Sequence, residues 1–114
     1  MQGMKFTPAT GWAVSLPAGS TSGTGTPIAL NDCRQINGTL KGTGTVTGGT
    51  VKFESAMEAE YSGTWNELDS VDLSSPVLTD SEYQNSFPGG YGAFYRWRVS
   101  SAVTGGGSIQ GLCN

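Results

Sequence analysis

Residues 42–53 read GTGTVTGGTVKF. By composition the stretch is Gly- and Thr-rich filler. By pattern it is a strand passing into another strand. Thr43, Thr45 and Thr47 alternate with Gly44, Val46 and Gly48, and Thr favours a pleated backbone. Gly48-Gly49 is a hairpin-turn signal. The stretch is therefore read as a strand, a tight turn and the start of the next strand. Residues 49–57 continue the pattern with period two. Val51, Phe53, Ser55 and Met57 fall on one face and Thr50, Lys52, Glu54 and Ala56 on the other, as in a half-buried strand.

The surrounding sequence follows the same rule. A helix over residues 54–68 is ruled out by Tyr61-Ser62-Gly63-Thr64 and by the period of two before that break. Short strands are expected at residues 11–16, with Trp12, Val14 and Leu16 on one face, at 26–30, at 32–40, at 63–68 around Trp65, and at 108–113. The strongest lies at 91–103. There Tyr91, Ala93, Tyr95, Trp97, Val99 and Val103 occupy one face, and Arg96, Arg98 and Ser100 the other. Residues 17–27 are expected to be a loop, and residues 69–90 a long polar connection. Seven to nine short strands in a chain of 114 residues predict an all-β fold. It is a single two-layer antiparallel β-sandwich, Ig-like or jelly-roll-like, with no significant helix. Residues 1–11 form an N-terminal arm and 12–114 the single domain.

Composition narrows the function. Apolar residues make up 36% and aromatics 10%, enough for a core and well above a disordered signature. Charged residues are 13% and the net charge is −3. Six basic residues with no basic run do not build a groove that tracks phosphates, so no nucleic-acid partner is expected. No apolar run reaches the length of a membrane span, and the start has no apolar segment of signal-peptide type. With no His, serine or cysteine triads of the usual kind are not expected. With only two cysteines, a zinc site is not expected either. Glu54, Glu58, Glu60, Glu67 and Glu82 have no spacing that fixes an acid/base pair, and Asp69, Asp72 and Asp80 match no calcium loop. The expectation is a non-enzyme without cofactors. Cys33 and Cys113 are either buried thiols or a disulfide tying the last strand to an early one.

Two groups remain as candidate contacts. Arg96 and Arg98 lie opposite the apolar stripe of their strand, as Glu54 does in its own. If those strands are neighbours, Glu54 faces an arginine across the sheet, either as a surface pair or as a polar face turned to a partner. Among the aromatics, Tyr95 and Trp97 are assigned to the core, and Trp12 is the best candidate for exposure.

The segments GTVKFESAMEAEYSGTWNEL at 49–68 and YGAFYRWRVSSAVTGGGSIQG at 91–111 are similar to small bacteriophage virion proteins. In these a strand ending in Glu and Ser precedes a Gly-Thr-Trp strand. An aromatic and arginine strand later runs into Val-Ser-Ser and a Gly-rich turn. The resemblance implies a head decoration (cement) protein that binds the major capsid protein on the outside of the assembled shell. It would act as neighbouring copies or as a homo-oligomer such as a trimer, assembled in the host cytosol and located in the virion. Met4 and Phe6 in the arm, with Trp12, Arg96 and Arg98, are the expected partner contacts. The alternatives are a carbohydrate-binding module of a virion or tail fibre, and a low-copy tail or connector component.

Overall fold

The computed structural model describes residues 12–30, 34–75, 78–89 and 93–114. Met4, Phe6 and the rest of the expected arm lie outside the described residues. So do Tyr91 and Cys33, and with Cys33 the disulfide alternative. Cys113 is buried.

Eight strands follow one another: β1 Ala13–Ser20, β2 Ile28–Ala29, β3 Gln35–Thr43, β4 Gly48–Ala56, β5 Asn66–Asp72, β6 Glu82–Pro88, β7 Phe94–Thr104 and β8 Ser108–Cys113. They form two four-stranded antiparallel sheets, ordered β1-β8-β3-β6 and β2-β7-β4-β5. The first strand pairs with the eighth, the second with the seventh, the third with the sixth and the fourth with the fifth. This is an antiparallel ribbon wrapped into two layers, the jelly-roll order rather than the Ig-like one.

The stretch at 42–53 crosses between those layers. Its first residues end β3 in one sheet, and its last residues belong to β4 in the other. The expected hairpin at Gly48-Gly49 is not formed. Gly49 lies inside β4 with φ +117°, where the pairing of β4 with β7 slips between Gly48 and Thr50. Gly-Gly here makes a β-bulge, which needs a residue free to adopt positive φ. The turn away from β3 comes earlier, at Gly44 with φ +76°, and Val46 is fully buried in the crossing.

Two other expectations change. The supposed long connection at 69–90 contains the end of β5 and all of β6. The strand β6 pairs residue for residue with β3, from Gln35 opposite Pro88 to Lys41 opposite Glu82. It is an edge strand that turns only Tyr83 and Phe87 toward the core, the Phe87 ring stacking 5.6 Å from Phe53, and its other side chains are mostly polar. The expected loop at 17–27 begins late, since β1 runs on to Ser20. It continues as irregular backbone tied to β7 through Gly25 N to Trp97 O, at 2.8 Å, and Val99 N to Gly23 O, at 2.8 Å.

The core lies between the sheets. Leu16, Ile36, Leu40 and Ile109 come from one, Val51, Phe53, Tyr95 and Trp97 from the other, and Leu30, Leu73 and Leu78 from connections. Trp97 reaches across to the opposite sheet at Gly38 of β3 and Gly111 of β8. A Cβ at either glycine would stand 2.8 or 2.7 Å from its ring. Its Nε1 donates to the Leu112 carbonyl at 2.9 Å, so the largest core side chain leaves no orphan donor. At the β5/β6 edge, Tyr83 Oη and Asn85 Nδ2 donate to Asp69 Oδ2 at 2.7 and 3.3 Å, joining the two layers by side chains.

Gly42 is a close-packing position of another kind, since a Cβ there would collide with the Leu78 carbonyl oxygen. Backbone cannot swing away as a long side chain does. Gly42→Ala is expected to lower unfolding free energy by about 1–3 kcal/mol, read as a lower urea midpoint with an unchanged slope.

Candidate functional site

The outer face of the β2-β7-β4-β5 sheet carries most of the charge chemistry. Glu54 pairs with Arg96 across β4 and β7, and Lys52 with Arg98. Arg96 Nε donates to Glu54 Oε1 at 3.1 Å. Arg98 donates from Nε to both carboxylate oxygens at 3.1 Å and from Nη2 to Oε2 at 2.8 Å. Glu54 is only 4% exposed, with both arginines bonded to its carboxylate. The Arg96 guanidinium sits 3.9 Å from the Trp65 ring centroid, within the range of a cation–π contact. Lys52 pairs with Glu67 at 2.9 Å. The two strands are neighbours, so Glu54 does face an arginine across the sheet, but its carboxylate is buried beneath the two arginines and this is not a simple surface pair.

Burial by itself would raise the pKa of Glu54. The hydrogen bonds from Arg98 and Arg96, and then their charges, outweigh it, so the carboxyl is held below its ordinary value. Glu54 is thus an ionised anchor with its lone pairs occupied, the opposite of a general acid.

A bulge positions it. Between Phe53 and Glu54 the pairing with β5 slips, Phe53 lying opposite Asp69 and Glu54 opposite Glu67. Leu68 is the extra residue, and it packs against the core. The strand ends at Ala56, and residues 57–65 form the loop to β5. Period two had placed Met57 on the core face. It is instead 72% exposed, because it lies past the last paired residue.

Beside this loop is a recess of about 410 Å³ lined by Ser55, Ala56, Met57, Glu58, Tyr61, Thr64 and Asn66. Tyr61 is 45% exposed, yet it is held in place. Its N–H donates to the Glu58 carbonyl at 3.3 Å, and its carbonyl accepts from Trp65 Nε1 at 2.9 Å. Its ring lies over Gly63, where a Cβ would collide with the phenol oxygen. Asn66 Nδ2 donates to Ser55 Oγ at 3.4 Å.

The sequence had singled out other aromatics. Trp97, Tyr95 and Trp65 are buried, and Trp12, expected to be exposed, is half-buried. Tyr61 had been read only as part of a break. An aromatic inside a Ser-Gly-Thr turn was the available signal, since such a residue has no strand to bury it. Of the candidate carboxylates, Glu58, Glu60, Glu67 and Glu82 are exposed. Asp72 accepts from Ser74 and Asp80 from the Gly44 N–H. Among the described residues no group of three His, Cys, Asp or Glu side chains could hold a metal ion. No protein family, curated protein or solved structure matches the chain.

Proposed function

We propose that this is a non-enzymatic structural protein of a bacteriophage virion, a decoration protein that binds the outside of the assembled head and stabilises it. The observation that carries the reading is the jelly-roll strand order, taken together with the resemblance read from residues 49–68 and 91–111. Viral shell proteins share that architecture with lectins and cupins, so the fold supports the reading by analogy and not by a site. The contact face would be the outer side of β4 and β7. Lys52, Arg96 and Arg98, half of the chain's six basic residues, gather there. A protein that binds only the closed shell stabilises it by mass action, and repetition over the lattice compounds weak contacts.

Copy number tests this. Quantitative mass spectrometry of purified virions against the major capsid protein is expected to find copies on the scale of the capsid lattice. Roughly six to twelve copies, the count of a cyclic ring, would move the protein to the tail or neck. Its absence from particles would end the structural reading.

A further inference from the structure

We propose that the recess beside the β4–β5 loop binds a neutral pyranose, the non-reducing end of an uncharged glycan. Its size, about 410 Å³, lies within the range of small-molecule sites. Its lining has the two parts that a pyranose requires. A pyranose ring presents an apolar C–H face and a rim of hydroxyls. The exposed Tyr61 ring and the Met57 and Ala56 side chains offer apolar surface. Glu58, Thr64 and Asn66 offer a carboxylate acceptor, a hydroxyl and a carboxamide for the rim.

Charge selects among ligands. Glu58 is the only charged residue among the described residues of the lining. An anionic sugar, a phosphate or an acidic side chain would meet the Glu58 carboxylate without a cation among the described lining residues. A purely apolar ligand would leave three polar groups unused, and specificity comes from such groups finding partners.

Preorganisation is the second argument. An exposed aromatic ring normally loses rotamer freedom when it binds a ligand. The Tyr61 ring is already seated over Gly63, on a backbone fixed by the bonds at its N–H and carbonyl. Trp65, which donates one of those bonds, is itself buried and covered by Arg96. The network around Glu54 therefore supports the recess from below.

The inference does not depend on the virion reading, because binding is measured on the isolated protein. The probes are methyl glycosides of neutral hexoses and N-acetylhexosamines, followed by ligand-observed NMR. An array of neutral and sialylated glycans is added, with choline as a cationic control. Neutral saccharides are expected to bind. Tyr61→Ala is expected to weaken them at least about tenfold, a loss of ~1.4 kcal/mol. Gly63→Ala, which displaces the Tyr61 ring without removing it, is expected to weaken binding in the same direction. Unchanged thermal midpoints of both variants would confirm that the fold is intact. The proposal is overturned if no neutral saccharide binds, if Tyr61→Ala binds as well as the parent, or if only sialylated glycans or choline bind.

Discussion

Trp97→Ala is expected to remove about 3–5 kcal/mol of unfolding free energy, the range for deleting a large buried aromatic. Three losses combine at this position. The side chain is fully buried, with its ring centroid 4.7 Å from that of Phe53. It fills the space left by Gly38 and Gly111 on the facing sheet. These glycines have no side chains with which to close the cavity. The Leu112 carbonyl also loses the Nε1 donor, and an unpaired buried acceptor costs about 1–3 kcal/mol. Domains of this size are stable by only about 5–15 kcal/mol, so the loss is a large share of the total. Trp97→Phe separates the effects, since it keeps most of the volume and removes the N–H. It is expected to lose about 1–3 kcal/mol. Urea titrations followed by far-ultraviolet circular dichroism measure both variants. Equal losses would mean that the hydrogen bond, and not the packed ring, dominates.

The second large effect is at Glu54. Removing the carboxylate leaves Arg96 and Arg98 facing each other without the charge that holds them, over a sheet position 4% exposed. Breaking a buried pair by deleting one partner costs about 3–5 kcal/mol, and Glu54→Ala is expected near the lower end because Arg98 is partly open to water. Glu54→Gln keeps the shape and loses the charge. It is expected to be destabilised less than Glu54→Ala, and to differ from the parent in its pH dependence.

That pH dependence has a definite sign. The pKa of Glu54 in the folded protein lies below the ordinary value of 4.5. Its contribution is fully present above that ordinary value and is lost as pH falls through the lower folded value. In the parent, stability is therefore expected to decline on acidification from about pH 4.5 downward. The Glu54→Gln protein should show a shallower decline over the same window. Parallel acid profiles for the two proteins would show that other carboxylates govern the acid limb.

How far the fold can be read in the chain depends on how local each signal is. Alternation of Val51, Phe53 and Ser55 with Lys52 and Glu54 identified β4, because side-chain direction in a strand follows from the backbone alone. The same rule identified β7 and the inward Tyr95 and Trp97. It failed one residue past the strand end, at Met57, because a period continues in sequence even where pairing has stopped. It also missed β6, where only Tyr83 and Phe87, four residues apart with Asn85 between them, turn toward the core and the alternation is too sparse to read. For the candidate site, Arg96 and Arg98 were legible as a polar face opposite an apolar stripe. Tyr61 was not, since an aromatic in a turn differs from one in the core only by what lies around it.

The sequence by itself determined that this protein is made of β-strands in two layers, and which side chains of β4 and β7 face the core. Both follow from Thr, Val and aromatic residues repeating with period two. Only the tertiary structure decided what joins to what. Gly48-Gly49 serves as well for a hairpin turn as for a bulge, and the choice went to the bulge because β4 pairs with β7 and β5 and not with β3. Glu54 reads as a surface residue until Arg96 and Arg98, from another part of the chain, close over it. The recess at Tyr61 likewise exists only where the end of β4 meets the start of β5. Strand pairing is a non-local choice among backbones that hydrogen-bond alike, and burial of the assembled core settles it.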